Sequence, residues 1–267
     1  MLDLNAVDEG FSRKAEIYDA YCEGHPVICW QRDVIRREVM SRLQAGGSIL
    51  ELNAGTGADA AYFVRQGYRV HATDIAGGMV SAIRTKINMS YAPQRFTAQQ
   101  ISFTELENVT GAPYDLVFSN FGGLNCIPDL QVTAEPISRL LKAGGHLVWV
   151  VMPPFCPWEF AQVLRGQVKV AFRRFGRGGV MANVEGARVR TWYHTSITVM
   201  AALGSNFHLL RRQSLSLFCP PSFIDGFPHR HPRLTEYLLK LDDRLGTRFP
   251  FNTCGDFVMY TFRYEPV

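Results

Sequence analysis

ILELNAGTGADAAYF, residues 49–63, decides the fold. An apolar run that reads as a buried strand enters a loop carrying Gly55 and Gly57, and a helical pattern starts at residue 58. Glycines in such a loop allow a tight turn and a close approach of backbone to ligand. Glu51 stands near the end of the strand, and the next strand, RVHAT at 69–73, ends on Asp74. A carboxylate there accepts hydrogen bonds from ribose hydroxyls. The phosphate-binding pattern GxxxxGK[ST] is absent, and Asn53 stands where the dinucleotide pattern GxGxxG has its first glycine. Glu51 would be a poor neighbour for a pyrophosphate and a good one for an ammonium group. The pair suits a ligand with an amino acid at one end and ribose at the other. A generic strand–turn–helix unit with surface acids stays open at this point, as does a nicotinamide or flavin site.

Outward from this unit the strand–helix alternation continues. Residues 78–89 suit a helix, 95–99 a strand, 114–120 (YDLVFSN) a central strand, 130–142 a helix ending in Ala143-Gly144-Gly145, and 146–152 (HLVWVVM) another apolar strand. This period predicts an α/β fold: a Rossmann-like, seven-stranded, mostly parallel sheet with helices on both faces and a small cap addition. Residues 1–45 read as a helical lead-in broken at Pro26, and 46–152 as the core. Prolines 153, 154 and 157 exclude a continuing strand, so 153–192 read as a cap insertion with a helix at 158–171 and a hairpin within 172–192. Residues 193–267 return to the core, with a helix at 195–203, strands at 207–218 and 257–264, and a loop and helix (233–245) inserted at 219–255.

Composition narrows the function. An apolar fraction of 47% is enough to bury a sizeable core, and a net charge of +4 argues weakly for any polyanionic partner, so nucleic acid is not expected. A basic stretch, Arg165, Lys169, Arg173, Arg174, Arg177, Arg188 and Arg190, reads either as a solvated face or as a site for an anionic small substrate. The six cysteines form no CxxC pair, which points to free thiols rather than zinc or disulfides. With no apolar leader and no membrane-length apolar run, a cytoplasmic setting without a membrane partner is expected. His229 and His231 flank Arg230 without a Cys or acidic cluster nearby, so no metal is expected. Oligomeric state is not legible.

ELNAGTGAD (51–59), HATDIAGGMV (71–80), YDLVFSNFGGLNC (114–126) and LLKAGGHLVWVVM (140–152) stand in one order. Together they resemble the glycine-rich, acidic, fourth-strand and fifth-strand motifs of the class I S-adenosylmethionine-dependent methyltransferases. The lead-in FSRKAEIYD (11–19) is similar to the N-terminal helix of small-molecule members such as quinone-biosynthesis methyltransferases. The resemblance implies S-adenosyl-L-methionine as cofactor and assigns roles to residues. Backbone near Asn53, Ala54, Gly55 and Gly57 would embrace the methionyl part, Glu51 would orient its ammonium, and Asp74 would hold the ribose. Ile75 and Met79 would flank adenine or ribose, and Gln100 and Ile101 would meet the adenine. Ser119, Asn120 and Phe121 would lie under the methyl-donor end.

The resemblance stops short of the acceptor. Tyr193, His194 and Glu159 are candidates for a base or orienting role, each with a structural alternative. Tyr18, Asn125, Trp158, Arg188 and Arg190 are candidate acceptor contacts. Seven aromatics of the cap, Phe155, Trp158, Phe160, Phe172, Phe175, Trp192 and Tyr193, suit a small, mainly aromatic or apolar methyl acceptor, or else pack the cap onto the core. A sulfonium methyl is already electrophilic, so proximity and exclusion of water supply most of what transfer needs. A nucleic-acid or protein methyltransferase and a non-catalytic nucleoside-cofactor-binding protein remain alternatives. The base-methylating Asn/Asp-Pro-Pro-Tyr tetrad is missing; SNFGG holds that place.

Overall fold

SILEL forms a strand, β1 (Ser48–Leu52), in which every residue after the first is buried. A strand covered on both faces belongs in the middle of a parallel sheet, and β1 has a parallel partner on either side. The computed structural model describes residues 3–176, 178–224 and 226–266. In chain order, α1 (Leu4–Gly24) and α2 (Pro26–Ser41) precede β1, followed by α3 (Ala58–Arg65), β2 (Arg69–Asp74), α4 (Gly77–Asn88) and β3 (Phe96–Gln100). Next come β4 (Tyr114–Ser119), α5 (Gln131–Leu140), β5 (Leu141–Val151), α6 (Pro157–Phe160), α7 (Val168–Phe172), β6 (Val180–Val184) and β7 (Ala187–Thr191). The chain closes with α8 (Ser196–Leu203), β8 (Phe207–Leu215), α9 (Phe227–Arg230), α10 (Pro232–Leu245) and β9 (Phe257–Tyr264).

Seven strands make one sheet in the order β3-β2-β1-β4-β5-β9-β8, and β6 and β7 form a separate two-stranded hairpin. The first five strands run parallel; β9 is antiparallel to both β5 and β8. The strand order reverses between β1 and β4, and the crevice beyond their C-terminal ends is where open α/β sheets bind ligands. Leu50 and Leu52 bury into the layer shared with α5 and α8, and Ile49 into the layer shared with α2, α3 and α4. All three are fully buried, each contributing about 1.5–3 kcal/mol over exposure.

One local expectation is extended and two are corrected. The break expected at Pro26 is present between α1 and α2, and what is added is that Pro26 is itself the first residue of α2, where a missing N–H costs nothing. The continuous helix at 158–171 is instead two short helices and a 3-10 turn, stopped by Gly166 at φ 73. Ala143-Gly144-Gly145 is not a turn between helix and strand: α5 ends at Leu140 and β5 begins at Leu141. The glycines sit in an irregularity of β5, where the register against β4 jumps from Leu141 to His146. A Cβ on Gly145 would stand 2.8 Å from the Lys142 carbonyl oxygen, so the bend needs glycine. No helix among the described residues is long and apolar enough to cross a membrane.

Candidate functional site

The loop after β1 turns through positive φ at Asn53 (44°), Gly55 (58°) and Gly57 (75°). Asparagine tolerates this region better than other non-glycine residues, and here its side chain is put to use. Asn53 Nδ2 donates to the Asn120 carbonyl at 2.9 Å, and its Oδ1 accepts from Ser119 Oγ at 2.6 Å. The first-glycine position therefore stitches the β1 loop to the β4 loop. Gly123 makes room for it: a Cβ there would fall 2.3 Å from Asn53 Cγ. Gly57 lets α3 approach α4, since a Cβ would lie 2.9 Å from Ile83 Cγ1.

Two acids stand behind this loop. Asp74 accepts from the backbone N–H of Gly55 at 2.8 Å and of Ala76 at 2.9 Å. Burial pushes its carboxyl up to about 6 although both backbone donors oppose the shift. Glu51 is buried, and its Oε2 has no hydrogen-bond partner. Burial first, and then the neighbouring Asp59, hold its carboxyl well above the usual range against the pull of Arg32 and Arg36. A buried orphan carboxylate oxygen is costly unless a partner arrives.

A cavity of about 260 Å³ opens in front of the glycine loop and Asp74, with Glu51 behind them and not among its lining residues. Asn53, Gly55, Asp74, Ile75, Met79, Asn120 and Phe121 line its sheet side. Its roof is a helical stripe of α1, namely Val7, Phe11, Lys14 and Tyr18, together with Val184, Val189 and Thr191 of the hairpin. The roof is pinned. Asp8 Oδ1 and Ser12 Oγ accept from the N–H groups of Gly77 and Gly78, both at 2.9 Å, so α1 caps the N-terminus of α4. Asp19 accepts from Thr56 in the glycine loop and from Lys86 Nζ in α4. Gly10 packs on the hairpin, where a Cβ would meet the Val184 carbonyl oxygen at 2.9 Å.

The remaining cofactor candidates support the loop without facing the cavity. Ala54 N–H donates to the Thr73 carbonyl at 2.8 Å, and Gly57 caps α3. Ser119 is fully buried. The structure does not bring Gln100 or Ile101 to the cavity. Gln100 donates to the Ile75 carbonyl at 3.1 Å, and Ile101 packs in the core; Phe103 lines the wall instead.

A second cavity, also about 260 Å³, adjoins the first along Lys14, Tyr18, Phe121 and Met152. Glu159, Tyr193, Arg173, Arg174 and Asp256 form its polar wall, and Ile28, Phe223 and Phe257 part of its apolar one. Both oxygens of Glu159 are engaged by Arg173, at 2.7 and 2.6 Å, and Arg174 adds a bond at 2.7 Å. Burial alone would raise Glu159, but the two guanidiniums keep it below the usual range. Tyr193 lies under Arg174, whose guanidinium carbon is 5.1 Å from the ring centroid, and burial raises its phenol.

Other acceptor candidates lie elsewhere. His194 is buried, its pKa lowered first by burial, and Nε2 donates to the Leu124 carbonyl at 3.3 Å. Asn125 is a buried clamp, donating to the Met152 and Trp192 carbonyls at 3.0 and 2.6 Å and accepting from Met152 N–H at 2.8 Å. Trp158 donates to the Leu217 carbonyl at 3.0 Å. Arg188 and Arg190 alternate with inward Ala187, Val189 and Thr191; they are exposed and line a separate cavity of about 190 Å³ that shares Val7 and Cys126 with the first. Phe155, Phe160, Phe172 and Phe175 are exposed by 38 to 50% and pack on one another rather than around a ligand. Arg177 lies outside the described residues.

Sequence reasoning missed Lys14 and Phe103 as wall residues and Asp59 as an organiser, and it named Arg173 and Arg174 only as members of the basic stretch. Asp59 pairs with Arg32 at 2.6 Å and Arg36 at 2.7 Å and accepts from Asn120 Nδ2 at 2.9 Å. The spacing 7, 11, 14, 18 was the available signal for the roof. A larger cleft of about 480 Å³ lies behind α3, lined by residues such as Arg36, Arg65 and Lys86, and includes neither Gly55 nor Asp74. Among the described residues no His, Cys, Asp and Glu cluster suits a metal.

Residues 49–145 match the family described as "Methyltransferase domain". The chain is 29% identical over 151 residues to the malonyl-[acyl-carrier protein] O-methyltransferase of Serratia marcescens, a match covering 55% of this chain and 53% of that protein. The chain thus spans about half the length of the curated relatives it matches. Its fold is similar to that of the CcbJ methyltransferase from Streptomyces caelestis, with TM-score 0.60, 16% identity, and 94% and 96% of the two chains covered. It is also similar to the [4+2]-cyclase SpnF, with TM-score 0.53, 13% identity, and 88% and 81% covered.

Proposed function

We propose that this chain, whose residues 49–145 match a methyltransferase domain, is a class I S-adenosylmethionine-dependent methyltransferase that transfers a methyl group from S-adenosylmethionine to a small, mainly aromatic or apolar acceptor. Glu51 carries the reading: a fully buried carboxylate with an unpartnered Oε2, behind a glycine loop and beside Asp74. That arrangement fits a ligand bearing an ammonium group and a ribose, and it fits a phosphate-bearing cofactor badly. Glu51 receives the ammonium, Asp74 the ribose hydroxyls, and Met79, Ile75 and Phe103 the nucleoside.

When bound, S-adenosylmethionine supplies a sulfonium methyl, so an in-line nucleophile forms its new bond as the carbon–sulfur bond breaks. The chain's own residues orient the acceptor and keep water out. Tyr18, Phe121 and Met152 form the wall common to both cavities and hold the acceptor against the donor end. The α1 stripe and the hairpin cover the site from solvent, which strengthens every electrostatic contact inside. No base is assigned. Glu159 has both oxygens committed to arginine, burial disfavours an ionised Tyr193, and His194 lies outside both cavities. Proximity and alignment then carry the rate.

The cyclase SpnF has a similar fold, so the fold does not decide between methyl transfer and other chemistry. The deciding experiment is titration with S-adenosylmethionine and S-adenosylhomocysteine, followed by release of S-adenosylhomocysteine in a screen of phenols, quinone precursors, aromatic acids, nucleosides and short RNA. Binding of both nucleosides with small-molecule turnover supports the reading. Turnover on RNA alone, or no binding, rejects it.

A further inference from the structure

The second cavity contains more hydrogen-bond donors than its own acceptors can satisfy. Arg173, whose side chain is 42% exposed, gives Nε and Nη2 to Glu159 and leaves Nη1 open to solvent or ligand. Arg174 gives Nη2 to Glu159 and Asp256 and Nη1 to the carbonyls of Asp256 and Pro153, while its Nε is buried without a partner. Lys14 lies over the Tyr18 ring at 5.6 Å and forms no ion pair with any described residue. Three cations thus face two carboxylates, Glu159 and Asp256, both already bound by arginine. The buried Arg174 Nε is a donor with no acceptor, which is a poor resting arrangement, and a planar anionic group in this cavity relieves it while the exposed Arg173 beside it adds charge.

Position gives the anion its role. Arg173 and Arg174 line the second cavity but not the first, whereas Tyr18, Phe121 and Met152 line both. The guanidiniums therefore lie off the shared wall, away from the donor end, and the apolar Ile28, Phe223 and Phe257 share their cavity.

We propose that this cavity takes an amphipathic acceptor whose carboxylate is anchored by Arg173, with Arg174 Nε and Lys14 assisting, while a different atom, at the Tyr18–Phe121–Met152 wall, receives the methyl group. The anchor works through a salt bridge at the far end of the acceptor and leaves the methylated atom free. Glu159 and Asp256 are positioning residues: they hold the two guanidiniums in place and neutralise the excess charge. The inference rests on the methyl-transfer reading, and it replaces the exposed Arg188 and Arg190 as the anionic anchor.

The test uses phenylacetate, 3-phenylpropionate and 4-phenylbutyrate against their primary amides and the matching amines. Each is titrated calorimetrically into the full chain, with and without saturating S-adenosylhomocysteine. At least one carboxylate is expected to bind ten-fold or more tighter than its amide, with the amine weakest. Arg173→Gln should bring carboxylate and amide to parity, and Arg173→Lys should restore part of the preference if the charge is what matters. Affinity for S-adenosylhomocysteine in both variants should stay within two-fold of the parent, which shows that they fold. Equal binding of acid and amide, preference for the amine, binding of no probe, or an unchanged preference in Arg173→Gln would overturn the proposal. Failure of the parent protein to bind S-adenosylhomocysteine would instead refute the cofactor reading, and the cofactor-free titrations would still decide the anion preference.

Discussion

One cavity has two kinds of wall. On the sheet side, position comes from the ends of β1, β2 and β4 and from hydrogen bonds to backbone: Asp74 to Gly55 and Ala76, Asn53 to Asn120. On the cap side, position comes from side chains of α1 that reach across to another element, Asp8 and Ser12 to the N–H groups of Gly77 and Gly78, and from packing on the hairpin. The first wall is a consequence of strand pairing and tolerates little change. The second is packed against it and is free to vary in composition as long as its shape is kept. On the proposed reading, recognition of the cofactor rests on the rigid wall, and the cap wall is the one free to vary.

The difference is sharpest at Asp74. Asp74→Ala should weaken S-adenosylhomocysteine binding by about 3 kcal/mol, on the order of 100-fold, because charge-assisted bonds to ribose and the two loop donors go together. Calorimetry checks it, and unchanged affinity would break the ribose assignment. The pH profile adds a sign. Burial raises this carboxyl to about 6, so the ionised form destabilises the free fold. Its contribution to stability is present below about pH 4 and lost as pH rises through about 6, up to roughly 3 kcal/mol from this group. Cofactor affinity should move the other way, falling as pH drops below about 6.

At Glu51 the effect is smaller and carries a distinct signature. Burial holds its carboxyl well above the usual range in the free protein, favouring the protonated form, whereas the ligand's ammonium would favour the ionised one. Binding near neutral pH should release a proton, read as a buffer-dependent calorimetric enthalpy. Glu51→Gln should abolish that dependence and weaken binding roughly ten-fold. A parent protein with no buffer dependence would break the ammonium role.

The cap wall predicts gentler losses. Gly10→Val drives a side chain into the Val184 carbonyl oxygen and Ala187, an overpacking worth about 1–3 kcal/mol. Cofactor affinity should fall a few-fold while α1 becomes more sensitive to protease. Smallest of all, Arg188→Ala with Arg190→Ala removes exposed charges and should change stability by less than about 0.5 kcal/mol per site. A large loss of cofactor or acceptor binding in that pair would show that the hairpin reorients.

What the sequence made legible follows the same division. Strand periodicity and the Gly55–Gly57 loop place β1 through β5 within a few residues, because each apolar run can be buried in only one way. Asp74 and Glu51 were readable because strand ends fix where those carboxylates lie. Arg173 and Arg188 were not separable: both are arginines in a basic stretch, and only the Gly166 break and the β7 alternation decide which one turns inward. The aromatics of the cap misled for a related reason. Residue type does not reveal whether Phe160 and Phe172 surround a ligand or one another.

The borrowed cap of α4 has a further consequence during synthesis. Asp8 and the Gly77 N–H from which it accepts are separated by 69 residues, so α1 emerges from the ribosome long before the helix it completes. Until α4 follows, α1 exposes the Val7–Phe11–Tyr18 stripe with nothing to lie on, and two N–H groups in the first turn of α4 find their partners only when α1 docks. Each segment is left unfinished by the other, so nascent chains should gain protection in this region in one step, after the residue-80 region clears the exit tunnel, rather than helix by helix.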